Sequence, residues 1–491
     1  MRPPGAGTAN PDGAEALRPP LGRAADSGML SPSWADTDVH ELLDDRAWLR
    51  AMAEVEAALA HAQAELGVIP VSAAETIGKV AQTAELDLDP VVAGVRATGN
   101  PVVAFVSELT SAVAEQDPAA AEYLHRGSTS QDILDSAAML VCARTLRRVT
   151  RDLDRTSAAL AALAETHRDT PMAGRTLTQH AVPTTFGLKA ATWLLLVLDA
   201  VERVERVLGA LPASLGGAAG TLAAYQEYAS CADAGGDAVE LVAPFAAKLG
   251  LAVPLVPWHS IRTPLADVAA TLSFVTGALG KIALDVQVMT RTEVGELAEA
   301  TEAGRGASSA MPQKRNPVFA TAIATAARQV PAHASVLFGS MVVEDERSAG
   351  GWHAEWQPLR ESLRMTAGAA RNAVALTEGL TVFPERMRRN LSLTGGAIVS
   401  ERITVHLAAV LGKGPAKALL TKATAEAASA GRPLPELIVE LATEDGCQLD
   451  RDRVTELARP ENYLGAAGVL VDRVLRHRRD RRATPAARPP S

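Results

Sequence analysis

The feature that most constrains the fold is one long apolar stripe between residues 264 and 300. Apolar side chains recur there alternately three and four positions apart, which places them on one face of an α-helix. A seam sustained over several heptads is typical of a helix that packs lengthwise against other helices. The seam consists of Leu265, Val268, Leu272, Val275, Leu279, Ile282, Val286 and Met289. It predicts an all-α protein built around a bundle of long helices.

The same spacing continued beyond Met289 places Glu293 and Glu296 at the next two seam positions, just before a glycine-rich loop. Two interpretations are open: this end of the helix emerges into solvent, or it borders a polar cavity at the surface of the bundle. Long helical patterns occur throughout the chain, and they cover residues 46–67, 131–168, 186–210, 264–303 and 317–340.

The order of these patterns predicts three helical domains. We expect an N-terminal domain over residues 31–125, a central long-helix bundle over 126–382 and a C-terminal helical domain over 383–475. Residues 1–30 are rich in Pro, Gly and Ala and predict a disordered extension. The basic, Pro-rich residues 476–491 predict a disordered tail, for which weak contact with an anion or a partner is the alternative.

Composition excludes several classes of protein. Charged residues make up 21% of the chain and aromatic residues only 3%, while Ala, Leu and Val are abundant, which favours helices over sheet. A net charge of −9 without a basic patch argues against a nucleic-acid partner. No apolar run is long enough to span a membrane and no secretory signal is evident, so we expect a cytoplasmic protein. The cysteines fit a reducing compartment and form no metal-binding pattern, being far apart at Cys142, Cys231 and Cys447.

The first polar segment that could carry chemistry is HRGSTSQDILD, residues 125–135. Ser128, Thr129 and Ser130 stand directly before a helical pattern, and helix capping alone would explain them. A helix N-terminus with hydroxyls and free amides is also a place where a carboxylate binds.

The second segment is AGRTLTQHAVPTTFG, residues 173–187, in which polar side chains crowd ahead of a strongly apolar helix. They are Arg175, Thr176, Thr178, Gln179 and His180. A histidine in such a setting is structural more often than catalytic, so both interpretations are open at this position.

The third and fourth segments flank the seam helix. VPWHSIRTP places His259 and Arg262 before it, where a turn leading into a proline-started helix would explain the sequence. GRGASSAMPQKRNPV, residues 304–318, follows it and combines small residues with Lys314 and Asn316, which are donors suited to a carboxylate. By itself this fourth segment could be a glycine-rich connection between helices.

Taken together and in this order, the four segments resemble the aspartase/fumarase superfamily, whose signature loop reads GSSxMPxKxNP. The loop here is GASSAMPQKRNP (306–317), with Ala307 between the glycine and the serines. The resemblance covers about residues 30 to 475, and within the superfamily it is greatest to the cycloisomerase branch. It implies a homotetramer with a shared helical bundle and active sites built from three subunits. It also implies a small dicarboxylate or tricarboxylate substrate and no cofactor or metal.

The resemblance assigns roles to the matching positions. Ser308 matches the general base, whose alkoxide the loop amides and Lys314 would stabilise, and Lys314 and Asn316 match carboxylate-binding positions. The other candidate substrate ligands in the polar segments are Thr129, Ser130, Arg175, Thr176, Gln179 and Arg262. Four histidines stay open as proton-transfer groups: His125, His180, His259 and His353.

Two positions depart from the pattern of fumarases and adenylosuccinate lyases. Those enzymes carry a histidine directly after the GRT of the second motif and pair it with a glutamate beyond the loop, whereas this chain has Leu177 and Thr321 there. Purinosuccinate and argininosuccinate chemistry is therefore not expected. The cycloisomerase branch also lacks this histidine, although Leu177 and Gln313 differ from its usual tryptophan and histidine and leave the substrate open.

The resemblance implies removal of a proton from a carbon next to a carboxylate, followed by β-elimination or, in reverse, addition. Our first expectation is lactone closure of 3-carboxy-cis,cis-muconate in aromatic catabolism, because an internal carboxylate leaves without strong acid assistance. The alternative is the release of nitrite and fumarate from nitrosuccinate in a biosynthetic pathway, since nitrite also leaves without a strong acid. A catalytically inactive scaffold protein is a distant third possibility.

Overall fold

The structure, a computed structural model, describes residues 28–234, 236–300, 306, 311 and 313–483. Helices dominate this part of the chain, so the predicted all-α class is confirmed. The region before the central bundle contains α1 (His40–Leu43), α2 (Asp45–Glu65), α3 (Val71–Thr83), α4 (Leu88–Thr98), α5 (Val102–Gln116) and α6 (Pro118–Ala121). As the sequence predicts, α2 ends shortly before Gly67, whose φ of 75° suits a glycine at a helix end.

The central bundle is built from five long helices and two short ones. They are α7 (Ser130–Thr166), α8 (Phe186–Leu208), α9 (Ala223–Cys231), α10 (Val242–Leu249), α11 (Thr263–Met289), α12 (Val318–Gly339) and α13 (Gly351–Glu378). α7 packs against α8 and α13, while α11 packs against α8, α12 and α13. All eight apolar seam residues of α11 are buried, which confirms the bundle that the seam predicts.

Two short antiparallel sheets are not predicted by the sequence pattern. Between α7 and α8, β1 (Pro171–Thr176) and β2 (Gln179–Thr185) form a hairpin. Leu177 and Thr178 make its two-residue turn with φ values of 48° and 73°, a turn geometry that matches the twist of paired strands. The second sheet pairs β3 (Leu297–Ala298) with β4 (Thr381–Val382).

The seam helix is shorter than predicted. It ends at Met289 rather than near residue 303, because the chain turns back there: the Glu296 amide donates to the Met289 carbonyl at 2.9 Å. Gly295, with a φ of 59°, supports this turn, and the chain then enters β3. Glu293 and Glu296 are therefore not helical seam positions, and the prediction of an acidic end to the seam is wrong.

The C-terminal part of the chain forms a second hydrophobic core. Its helices are α14 (Pro384–Leu391), α15 (Ser400–Leu411), α16 (Lys413–Ala430), α17 (Leu434–Glu444), α18 (Arg451–Leu457) and α19 (Ala467–Ala483). Short 3₁₀ helices lie at Ala238–Leu241, Ser392–Thr394, Ala397–Val399 and Pro460–Asn462. The second core surrounds Ile403 and Ile438 and includes Ala173 of β1, whereas Val471 of α19 belongs to the core of the bundle. The predicted division into three domains stays a prediction.

The basic C-terminal stretch is helical for longer than predicted. α19 continues through Ala483 and packs against α8, where Arg481 donates to the Leu198 carbonyl at 3.2 Å and to Glu202 at 3.0 Å. These contacts explain why the prediction of a disordered tail from residue 476 is wrong for residues 476–483. Residues 484–491 and the N-terminal stretch 1–27 lie outside the described residues.

Within the described ranges, α11 is long and apolar enough to cross a membrane by length and composition. In the structure, 61% of its apolar window is buried among the other helices. That burial is what the core helix of a bundle shows.

Candidate active site

The predicted site residues of one chain lie at the two ends of the bundle. α11 starts just after Arg262 and stops shortly before Glu296, and its 27 residues separate these points by roughly 40 Å at 1.5 Å per residue. We define the His259 end by Thr129, Ser130, His125, His259, Arg262, Arg347 and His353. We define the hairpin end by Arg175, Thr176, Gln179, His180, Glu296, Lys314 and Asn316.

At the His259 end, the carboxylate of Asp132 joins three segments of the chain. Asp132 lies in the first turn of α7 and is fully buried. Its Oδ1 lies 2.8 Å from His259 Nε2, and the other donors within 3.1 Å are the amides of Thr129, Gly216 and Gly217 and the Tyr225 hydroxyl. Several donors on one buried carboxylate compensate for its desolvation. This cluster fixes the start of α7 against the loop at residues 214–217.

His259 is held by two adjacent residues in the first turn of α7. Its Nε2 faces Asp132, and its carbonyl accepts a hydrogen bond from Gln131 Nε2 at 2.9 Å. The side chain is only 4% exposed, and its Nδ1 has no hydrogen-bond partner among the described residues. Its role in proton transfer stays a prediction, and its ring shares the Asp132 carboxylate with the Thr129 amide.

His125 forms the second histidine–carboxylate pair at this end. Its Nδ1 lies 2.6 Å from Oε1 of Glu56, whose side chain is buried. Burial of the ring disfavours the protonated form, but the charge and hydrogen bond of Glu56 outweigh it and raise the pKa of His125. The raised pKa shifts the equilibrium of the His125 ring toward the protonated form.

Arg262 does not fit the predicted role of a substrate ligand. Its side chain is buried, and its five donors contact Asp135, Glu355 and the Trp258 carbonyl at 2.6 to 3.4 Å. A guanidinium has five N–H donors, so none is left for a carboxylate ligand. Arg262 therefore ties α11 to α7 and α13. Its neighbour on α13, His353, is exposed and makes ring contacts with Trp352 and Trp356.

Arg347 is a residue that the sequence prediction missed. It lies between α12 and α13, and its Nη1 donates to Oγ1 of Thr129 at 2.6 Å, although the two residues are 218 positions apart. The segment EDERSAGGWHAEW contains it, but no spacing in the sequence indicates that this arginine meets Thr129.

At the hairpin end, the turn of the hairpin presents its side chains to solvent. Thr176 and Gln179 pair across the two strands and are both exposed. Between them, Leu177 is 96% exposed and has a φ of 48°, which is unusual for a branched apolar residue. The turn of the hairpin therefore exposes two polar side chains and one apolar side chain to solvent.

Arg175 is engaged by a buried carboxylate, unlike the free ligand that we predicted. Its two terminal nitrogens donate to the two oxygens of Glu296 at 2.9 and 2.7 Å, and Asn390 Nδ2 donates to Glu296 Oε1 at 2.7 Å. Glu296 is fully buried, so this pair neutralises Arg175 and joins the hairpin to the turn after α11 and to α14. The geometry gives Arg175 a structural function.

His180 follows on β2 and is partly buried. Burial, and then the positive charge of Arg175, lower the pKa of His180, while Glu296 acts in the opposite direction. The ring is therefore neutral at neutral pH and can act as an acceptor rather than as an acid.

The loop before α12 is described only in part, and Ser308 lies outside the described residues. Gly306 has a φ of 64°, and its carbonyl accepts the Asn316 amide at 2.9 Å. A Cβ at Gly306 would lie 2.6 Å from the Asn316 carbonyl oxygen, so this close approach requires glycine. Lys314 is exposed, as a ligand for an anion would have to be. Among the described residues, no group of three or more His, Cys, Asp or Glu side chains is arranged to hold a metal ion.

Comparison with known proteins identifies the family of this chain. The sequence matches the family described as Lyase over residues 31–332 and the one described as Adenylosuccinate lyase C-terminus over residues 396–474. A nitrosuccinate lyase from Streptomyces davaonensis is 57% identical over 460 residues, covering 94% of this chain and 96% of that protein.

Cycloisomerases are similar at a lower level of identity. A 3-carboxy-cis,cis-muconate cycloisomerase from Bradyrhizobium diazoefficiens is 38% identical over 451 residues, covering 91% of this chain and 98% of that protein. The crystal structure of the 3-carboxy-cis,cis-muconate lactonizing enzyme from Pseudomonas putida has a TM-score of 0.83 at 34% identity, and the match covers 92% of this chain and 99% of that one. The chain therefore belongs to the lyase family of the aspartase/fumarase superfamily.

Proposed function

We propose that this lyase eliminates nitrite from nitrosuccinate and forms fumarate. The observation that carries the proposal is the 57% identity to the nitrosuccinate lyase over 94% of the chain, against 38% to a cycloisomerase over nearly the same span. The alternative drawn from the sequence is thus better supported than our first expectation, lactone closure of carboxymuconate.

The proposed reaction is a β-elimination. A base removes a proton from the carbon next to one carboxylate, the C–N bond at the neighbouring carbon breaks, and nitrite leaves with the bonding electron pair. Ser308 is the predicted base, and Lys314 and Asn316 are the predicted ligands of the carboxylate that becomes the aci-carboxylate. Such donors stabilise the negative charge that develops in the transition state.

The hairpin supports a leaving group that needs no proton. Leu177 stands at its exposed tip, where the fumarase pattern has a histidine, and Leu177 has no group that can donate a proton. Nitrite leaves as a stable anion, so a site without an acid at this position suits it. Thr176 and Gln179 beside the tip are the predicted ligands of a substrate carboxylate.

We further propose that other subunits complete the site. Thr129 and Lys314 of one chain lie at opposite ends of the bundle, separated by roughly 40 Å as judged from α11. A substrate of four carbon atoms cannot contact both in one chain. A homotetramer with shared active sites, as the family resemblance implies, would bring the two ends of different chains together.

Lactone closure of 3-carboxy-cis,cis-muconate is the second candidate. The match to the Pseudomonas putida lactonizing enzyme, with a TM-score of 0.83, favours it. The two reactions share the proton abstraction and differ in the leaving group. An inactive scaffold is the third candidate, and the presence of Lys314 and Asn316 in the signature loop speaks against it.

The two reactions can be told apart by offering each substrate to the purified protein. We expect nitrosuccinate to yield nitrite, measured by diazo coupling, and an equal amount of fumarate, measured by its ultraviolet absorbance. Ser308→Ala is expected to lower kcat by at least about 100-fold. Loss of the carboxymuconate chromophore without any nitrite release would overturn the proposal in favour of the cycloisomerase.

A further inference from the structure

Arg347 has no assigned role, and its position points to one. It enters the His259 end from the segment between α12 and α13, and its Nη1 contacts the Thr129 hydroxyl at 2.6 Å. We infer that Arg347 binds one carboxylate of the substrate together with Thr129 and Ser130. This inference rests on the proposed function, because it assumes a dicarboxylate substrate.

The guanidinium of Arg347 has unused donors. One of its nitrogens contacts Thr129, and no carboxylate in the described part of the chain forms an ion pair with it. The acidic residues just before it do not neutralise it: Glu344 instead accepts the Ala349 amide. Arg262 at the same end is the opposite case, since all five of its donors are engaged.

Among the residues that the structure describes, the half-buried guanidinium of Arg347 lacks an anion to compensate for its partial removal from water. Removing a charge from water is costly unless an opposite charge or several hydrogen bonds replace the solvent. The carboxylate of Asp132 lies close along the chain but already accepts from the Thr129 amide, two glycine amides and the Tyr225 hydroxyl. Arg347 is therefore free to bind an anion that comes from outside the chain.

The hydroxyls beside Arg347 can serve the same anion. Thr129 Oγ1 accepts from Arg347, so its own hydrogen is available to another oxygen atom. The hydroxyl of Ser130 is half-buried and has no hydrogen-bond partner among the described residues. A planar guanidinium and two hydroxyls match the two oxygens of a carboxylate.

The number of cations in the proposed site also matches the number of carboxylates on the substrate. A substituted succinate carries two carboxylates, and the predicted cation for one of them is Lys314 at the hairpin end. Arg347 supplies a second cation at the His259 end. If these ends meet across subunits, each carboxylate of the substrate faces one cation, an arrangement that would favour a dianion over a monoanion.

The test compares Arg347→Ala and Arg347→Lys with the wild type in the full-length protein. We expect Arg347→Ala to raise KM for nitrosuccinate and Kd for fumarate by about 10- to 100-fold, with kcat changed less than about threefold, because the contact holds both the ground state and the transition state. Arg347→Lys keeps the charge but not the planar fork and should recover part of the affinity. Millimolar guanidinium ion should partly restore the alanine variant.

Glu346→Gln is the matched control. It removes a charge from the exposed neighbouring side chain, and its KM should stay within about twofold of the wild type because exposed charges interact weakly. Equal fumarate Kd values for the wild type and Arg347→Ala, measured by isothermal titration calorimetry, would overturn the inference even if nitrite is released. If the wild type binds fumarate but releases no nitrite, the proposed function fails, and the fumarate Kd of the variant alone decides the inference.

Discussion

At the scale of single residues, buried charge pairs separate structural residues from those that can bind a ligand. Arg175 and Arg262 stand in polar motifs, yet each meets a buried carboxylate more than 90 positions away in the sequence. Arg347, in contrast, meets only a hydroxyl. The residue type is the same in all three cases, so the contact partner decides which arginine is free for a substrate.

The pair of His125 and Glu56 predicts a pH-dependent stability. The raised pKa of His125 means that the folded state holds the proton more tightly than the unfolded state does. In the unfolded state, the pKa of the histidine is 6.5. The stabilisation is therefore fully present below pH 6.5 and is lost as pH rises through the raised pKa. We expect Glu56→Gln to lower the free energy of unfolding by roughly 1–3 kcal/mol at pH 6 and by less at pH 8.5.

This pH dependence is checked by thermal unfolding of the wild type and of Glu56→Gln at pH 6 and at pH 8.5. Glu54→Gln is the matched control, because Glu54 lies on the same helix but its partner Arg144 is partly exposed. A difference between wild type and Glu56→Gln that grows from pH 6 to pH 8.5 would contradict the assignment of the raised pKa.

At the scale of elements, the hairpin is held by contacts to segments that follow much later in the chain. Its residue Arg175 pairs with Glu296 in the turn after α11, and Glu296 also accepts from Asn390 of α14. Ala173 of β1 packs into the second core. The early end of α11 makes these contacts possible, because a helix continued to residue 303 would carry Glu296 away from the hairpin.

Removing the Glu296 carboxylate should loosen the hairpin. Breaking a buried ion pair from one side costs about 3–5 kcal/mol, because it leaves the other charge unpaired. We expect Glu296→Ala to lower Tm and to lower kcat, since Thr176 and Gln179 lose their support. The control is Glu385→Gln, which removes an exposed partner of Arg388. Faster proteolysis near residue 177 would locate the effect, and an unchanged Tm and kcat would refute it.

At the scale of the whole molecule, the long helices place the polar segments at alternate ends of the bundle. Thr129 starts α7, and the hairpin follows its other end, while α11 and α12 run between the same two ends. A site that needs both ends must combine different chains, as in the proposed homotetramer.

Mixing two inactive variants tests the shared site. Co-expressed Thr129→Val and Lys314→Met chains should recover roughly a quarter of wild-type activity if the two residues of one site come from different chains and mixing is random. Two variants from the same end, Thr129→Val and Ser130→Ala, should recover almost none when mixed. The same recovery in both mixtures would contradict a shared site.

The sequence by itself determined the helical class and most of the long helices. The predicted ranges 131–168, 186–210 and 317–340 agree with α7, α8 and α12 within two residues at each end. This success has a local cause, because a 3.6-residue repeat of apolar side chains is written in the sequence. The four polar segments and their order were also visible, and with them the superfamily.

Only the tertiary structure decided the features that the sequence left open and those for which the prediction from the sequence was wrong. It ended α11 at Met289, formed the hairpin, paired Arg175 and Arg262 with distant carboxylates and brought Arg347 to Thr129. The arginine contacts join residues about 90 to 220 positions apart, and the contact of Arg175 with Glu296 connects the hairpin to the turn after α11. A local pattern shows where a charged residue stands and which helix carries it. It does not show which buried charge it meets, because that depends on how the helices pack.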